Sequence, residues 1–112
     1  MFSAFGDGNV EKFVETVAAD TVWIYHGTQI VPKRIYEGID GARKFIRGIL
    51  DNNEIISFEP REYFSVGDMV VVLGDEHFKV KKSGKEFKQK WVQVYTINNN
   101  LIARMEEFAK TV

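Results

Sequence analysis

The sequence predicts a single α+β domain over residues 1–112, in which helices come first and a long antiparallel meander follows, so that helices cover one face of a sheet. Val10, Phe13, Val14, Val17 and Ala18, and again Ala42, Phe45, Ile46, Ile49 and Leu50, recur at the i, i+3, i+4, i+7, i+8 spacing of one apolar helical face. From Ile55 onward the pattern becomes runs of β-branched and aromatic residues broken at Gly67-Asp68, Ser83-Gly84 and Asn99-Asn100. No repeat or linker divides the chain, and 45% hydrophobic residues in 112 is enough for one core without disulfide support.

Taken in order, Asn9 is placed to cap the first periodic helix. Residues 21–26, rich in β-branched and aromatic side chains, read as a strand. The segment from there to Pro32 reads as an irregular loop, and Ile35-Tyr36-Glu37 as a short strand. Asp40 is the expected cap of the next helix, and Asp51-Asn52-Asn53 its stop. Four strands are expected at 55–66, 69–81, 86–98 and 101–110. Pro60 belongs at a bulge or an edge because it has no N–H for a ladder.

Asparagine tolerates positive φ, so a two-residue turn at Asn99-Asn100 pairs Asn98 with Leu101. A regular ladder from that turn sets Trp91, Gln93 and Tyr95 opposite Phe108, Glu106 and Arg104. Pairing Lys82 with Lys85 across the Ser83-Gly84 hairpin brings Glu76 opposite Trp91 and Gly74 opposite Gln93. One face then carries Glu76, Trp91, Gln93, Tyr95, Arg104, Glu106 and Phe108, extended by Val70, Val72, Phe78, Phe87, Ile97 and Ile102. The mix of apolar surface and a few polar groups suits a ligand cavity. The other face, with Val71, Leu73, Val92, Val94, Ala103 and Met105, suits a partner sheet.

Several stretches together resemble the nuclear transport factor 2-like fold, and within it the SnoaL-like polyketide cyclase group. Residues 5–10 resemble that group's Phe-x-x-Gly-Asn/Asp-hydrophobic entry to a helix. Val22-Trp23 resembles its strand ending in tryptophan, and Tyr36-Glu37-Gly38 before Asp40-Gly41-Ala42 its turn into the third helix. Residues 58–62, 67–72, 90–94 and 102–107 match its last four strands, so the resemblance covers nearly the whole chain. It implies a cone: about three N-terminal helices on a strongly curved mixed or antiparallel sheet, a cystatin-like α+β barrel around an apolar cavity, and a homodimer joined through sheet faces. Members of the group include cyclases, ketosteroid isomerases, epoxide hydrolases, dehydratases and noncatalytic modules, so the fold does not fix an activity. The chain departs from the group in two ways. Before Phe5 there is room for about one helical turn. At the positions where related enzymes often keep a histidine and an aspartate, it has Gln93 and Lys110.

A carboxylate desolvated in such a cone becomes a better proton acceptor, and Glu106 is the expected general base, with Gln93 beside it. The alternative is that Glu106 pairs with Arg104 or another cation in a structural network. Tyr25 and Tyr95 are candidate hydrogen-bond donors to an oxyanion. Trp23 and Trp91 serve as core, as ligand wall or as both. His26, next to Gly27, is a candidate proton carrier at the cavity mouth, or else a hydrogen-bonded histidine at a strand end. The expected ligand-binding set is therefore Trp23, Tyr25, Glu76, Trp91, Gln93, Tyr95 and Phe108, with Glu106 and His26 as the catalytic candidates.

His26 and His77 are isolated and there is no cysteine, so no metal site is expected. No phosphate loop, serine nucleophile motif or dinucleotide fingerprint is present, and no cofactor is expected. A net charge of -1 argues against nucleic acid, and the six lysines between Lys79 and Lys90 read as a solvated hairpin tip. There is no signal peptide or membrane-spanning run, so no membrane association is expected, and a cysteine-free chain suits the cytoplasm. Three readings stay open: a domain binding a small, mostly apolar ligand; a cofactor-free isomerase, cyclase or dehydratase; and a noncatalytic dimerisation module.

Overall fold

Asn99 and Asn100 take φ of 52° and 64°, the left-handed pair that a two-residue turn between twisted strands requires, and Asn98 pairs with Leu101 as expected. Around this hairpin the computed structural model, which describes residues 1–28 and 32–112, builds three helices and one sheet. The helices are α1 (Phe2–Gly6), α2 (Val10–Val14) and α3 (Gly38–Asn52). The strands are β1 (Val17–Tyr25), β2 (Arg34–Glu37), β3 (Asn53–Val66), β4 (Met69–Val80), β5 (Glu86–Asn98) and β6 (Leu101–Thr111). The strand order is β2-β1-β6-β5-β4-β3, antiparallel except for β1 beside β6. This is the expected α+β cone. The expected loop between β1 and β2 includes Gln29, Ile30 and Val31, which lie outside the described residues. No described helix is long and apolar enough to cross a membrane.

The curvature comes from three residues inserted into the ladder. Ile55 faces Phe78 and Ser57 faces His77, which leaves Ile56 extra; Pro60 faces Gly74 and Glu62 faces Leu73, which leaves Arg61 extra. In β6, Ile102 faces Ile97 and Arg104 faces Thr96, which leaves Ala103 extra. Each such bulge bends its strand and adds twist. Pro60 is thus both beside a bulge and on an edge strand, where its missing N–H does no harm.

The helices fill the open side. Asn9 caps α2 by accepting from the Lys12 N–H at 3.0 Å. The apolar spacing overextended this helix, however. It stops at Val14, and Val17 opens β1, buried through its pairing with Ile102. In α3 the cap is Glu37, not Asp40. Asp40 lies in the first turn, where it favours the positive end of the helix and accepts from Arg43 at 2.7 Å. Phe13, Ala42, Phe45 and Ile46 are buried against Trp23 and Tyr95 of the sheet. Thr21 orients the central tryptophan: its hydroxyl donates to the Ile102 carbonyl at 2.8 Å and accepts from Trp23 Nε1 at 3.0 Å.

Candidate functional site

The bulge at Ala103 decides which carboxylate faces inward. Beyond it the β5–β6 register differs by one residue from a regular ladder, so Gln93 faces Glu107, Tyr95 faces Met105 and Trp91 faces Ala109. In a strand a one-residue slip moves every side chain to the other face. Glu107 and Met105 therefore point inward, and Glu106 and Phe108 outward. The expectation that Glu106 and Phe108 share a face with Gln93 is corrected on this ground, as is the placing of Met105, which is fully buried, on a partner-facing surface. The β4–β5 hairpin also differs from expectation, with Glu76 opposite Gln89 and Gly74 opposite Trp91. That displacement is two residues, so Glu76 and Gln93 keep their face.

The concave face and the helices enclose a cavity of about 400 Å³. Its walls are aromatic: Phe13 from α2, Trp23 and Tyr25 from β1, Tyr36 from β2, Phe45 from α3, Phe58 from β3, Phe78 from β4, and Phe87 and Tyr95 from β5. α1 adds Met1, Phe2 and Phe5. Into this surface project Glu76, Gln89, Gln93 and Glu107. Trp91 lies behind the lining, stacked on Phe58 with ring centroids 5.0 Å apart.

The two carboxyls are 8% (Glu76) and 6% (Glu107) exposed. Burial disfavours their charged forms and pushes Glu107 up to about 7. Glu76 is pushed up to about 9, by burial first and by the negative charge of Glu107 second. Gln93 makes the difference between them. Its Nε2 donates to Glu107 Oε1 at 2.6 Å, favouring the ionised form, while Tyr95 Oη donates to Gln93 Oε1. All the protons of this relay point toward Glu107. Glu76 has no hydrogen-bond partner among the described residues. Near neutral pH the pair thus provides an acid at Glu76 and an acceptor at Glu107. The Tyr25 hydroxyl bonds to Gln89 and Thr28, and burial with the two carboxyls holds its pKa up at about 12. Tyr95 is raised as well, burial first.

Of the residues singled out in the sequence, Trp23, Tyr25, Glu76, Gln93 and Tyr95 line the cavity. Glu106 and His26 meet elsewhere. His26 Nε2 lies 3.3 Å from Glu106 Oε1, its ring stacks on Phe108 at 4.3 Å, and Arg104 lies 3.2 Å from the same carboxylate oxygen. Burial is the largest single influence and raises the Glu106 pKa, but the hydrogen bonds and charges of His26 and Arg104 together outweigh it and hold the carboxyl below the usual carboxylate range. Glu106 thus has the structural pairing that was the alternative to a general base. Lys110 is exposed, whereas Gln93 does face the cavity. The sequence reading missed Glu107 and Gln89. The signal for Glu107 was present: Ile102 and Met105 are large apolar residues three apart, out of step with a two-residue period and in step with one inserted residue. Among the described residues, no group of three or more potential ligands is placed to hold a metal ion.

A family model for the SnoaL-like domain matches residues 1–105. Curated proteins gave no significant match. Among solved structures, an NTF2-like protein from Burkholderia xenovorans LB400 superposes with a TM-score of 0.83 at 25% identity, over 96% of this chain and 82% of that one. A protein of ketosteroid isomerase-like fold from Catenulispora acidiphila, in complex with trimethylamine, gives 0.81 at 14% identity, over 95% and 78%. TerC co-crystallised with polyporic acid gives 0.77 at 20% identity, over 96% and 83%.

Proposed function

Given that the chain belongs to the SnoaL-like domain family, we propose that it binds a small, mostly apolar organic molecule in the cone, with Glu76, Gln89, Gln93 and Glu107 engaging the ligand's polar group. The observation that carries this reading is the buried carboxyl pair on an aromatic cavity of about 400 Å³. Pockets of this volume hold small ligands, and a few placed polar groups on apolar walls set their orientation. Trimethylamine and polyporic acid in the two structures of the same fold are in keeping with a cone that admits organic molecules.

A second reading is favoured by the unequal proton affinities of the pair. With a ligand carbonyl accepting from Glu76, Glu107 takes a proton from the adjacent carbon, and the enol forms without a cofactor; an isomerase, cyclase or dehydratase step follows from such chemistry. One experiment separates the two. Hydrophobic ketones are screened in D2O, with thermal shift reporting binding and NMR reporting deuterium at the carbon next to the carbonyl. Binding without deuteration leaves a binder; binding with deuteration that Glu107→Gln abolishes supports proton transfer. No shift with any ketone would reject the proton-transfer reading.

The expected partner is a second copy of the chain. Outward-facing residues form two rows across the strands, Phe64-Val71-Val94-Glu106 and Glu62-Leu73-Val92-Phe108. Phe64 and Phe108 stay half exposed, Phe108 at 47%. Contiguous apolar surface of this kind supports a face-to-face pairing of sheets. Sedimentation at micromolar concentration is expected to give a dimer for the parent chain and a monomer for Val94→Asp, with the cavity still formed; a monomeric parent would end the idea. A cytoplasmic location, suited to a cysteine-free chain, belongs to the same proposal.

A further inference from the structure

We infer that the ligand carries a compact positive charge on an apolar body, an organic ammonium seated at Glu76 and Glu107; this rests on the reading of the cone as a binding cavity. Glu76 is more than nine-tenths buried, lines the cavity and has no hydrogen-bond partner among the described residues. Glu107 receives a hydrogen bond from Gln93 on Oε1. A buried carboxyl without a partner is unfavourable unless something else satisfies it. Here the cavity is the space from which that partner can come.

Among the described residues no positive charge fills the role. Met1 and Arg34 line the cavity, yet neither acts on either carboxyl. Tyr25 and Tyr95 are held protonated, by burial first, and among the described residues no cation acts on either carboxyl. The walls add a second attraction. Trp23, Tyr36 and Tyr95 present aromatic rings, whose faces attract an ammonium once it leaves water. A quaternary ammonium has no N–H to satisfy and combines a delocalised charge with apolar methyl groups, which suits walls of this composition. Its arrival favours the ionised carboxyl, so the proton held on Glu76 passes to the buffer while the cation takes its place.

The test is titration calorimetry of the full chain at pH 7.5 with choline and with 3,3-dimethyl-1-butanol, its neutral carbon isostere, each in phosphate and in Tris. Choline is expected to bind at least tenfold more tightly. Its binding heat should differ between the buffers by the heat of taking up the released proton, while the neutral isostere shows no such difference. Glu76→Gln should abolish both the choline preference and the proton release. Glu107→Gln is the second variant, should the first not fold. Equal or tighter binding of the isostere, or a neutral ketone binding where choline does not, overturns the cationic assignment and leaves the binding reading intact. If neither these probes nor the ketones bind, both fall.

Discussion

Glu76→Gln is expected to make the protein more stable at pH 9, by several kcal/mol and at most about 6 kcal/mol, while removing a group the ligand needs. The reason lies in where the proton sits. An unfolded glutamic acid ionises near 4.5, whereas folded Glu76 holds its proton until about pH 9, because burial and the neighbouring Glu107 both oppose its charge. Between these values the folded state binds the proton and the unfolded state does not. Stability from this group is therefore whole below about pH 4.5, falls as pH rises through the window, and reaches its floor once the folded carboxyl ionises. Glu107 acts with the same sign over a narrower window, from 4.5 to about 7. Glu11, Asp75 and Glu106 have the opposite sign, since partners lower their pKa and their contribution is lost on acidification; being partly or largely open to solvent, they weigh little.

Urea midpoints from pH 5 to 9 check this. The parent chain should lose stability steadily across the range, and Glu76→Gln should flatten the profile and lie above the parent at the alkaline end. A variant that is less stable than the parent at pH 9 would mean that the carboxylate, not the acid, is what the fold holds. Groups retained against stability are typical of functional sites, where a pre-formed but unfavourable arrangement serves a ligand.

This pair also marks the boundary of what the sequence reveals. Strand limits were legible where a break is chemical: Gly67, Ser83-Gly84 and Asn99-Asn100 stop a run whatever the packing, and β3 to β6 begin and end within two residues of those expected, whereas β1 starts at Val17, four residues before the expected Thr21. Registers were legible only to the extent that errors were even. Two residues of error at the β4–β5 hairpin left Glu76, Gln93 and Tyr95 on the cavity side. One residue at Ala103 exchanged Glu106 for Glu107 and so moved the best acidic candidate from the surface to the cavity. A bulge residue has no distinctive side chain, and an alanine between Ile102 and Arg104 announces itself only through the spacing of its neighbours. The helix errors have a similar origin. Val17 and Ala18 fit the α2 spacing because a strand entering the core needs apolar residues too, and tertiary pairing with β6 decided between them.

Gly74→Ala is expected to destabilise the protein by about 3 kcal/mol, the high end for overpacking one methyl group. A Cβ built at this position would lie 2.3 Å and 2.6 Å from Cζ2 and Cη2 of Trp91, and 2.6 Å from the carbonyl oxygen of Glu59. Glycine is needed here for close approach, since Trp91 on β5 is the cross-strand partner of Gly74 and its indole covers the glycine. The two obstacles differ in kind. Trp91 is a side chain that could turn, but it is buried and stacked on Phe58, whose ring lines the cavity, so its movement propagates into the ligand wall. The Glu59 oxygen belongs to the backbone of β3 beside the Pro60–Arg61 bulge and moves only with that strand. A double-mutant cycle resolves the two contributions. Trp91→Ala alone should cost about 4 kcal/mol through lost packing. Adding Gly74→Ala to it should then cost less than half of what it costs in the parent chain, the residue being the clash with Glu59. Urea denaturation of the four proteins supplies the numbers. A loss below about 1 kcal/mol for Gly74→Ala alone would show that the sheet relaxes around the methyl group, and that the contact of Trp91 with Gly74 does not fix the position of Phe58 in the cavity wall.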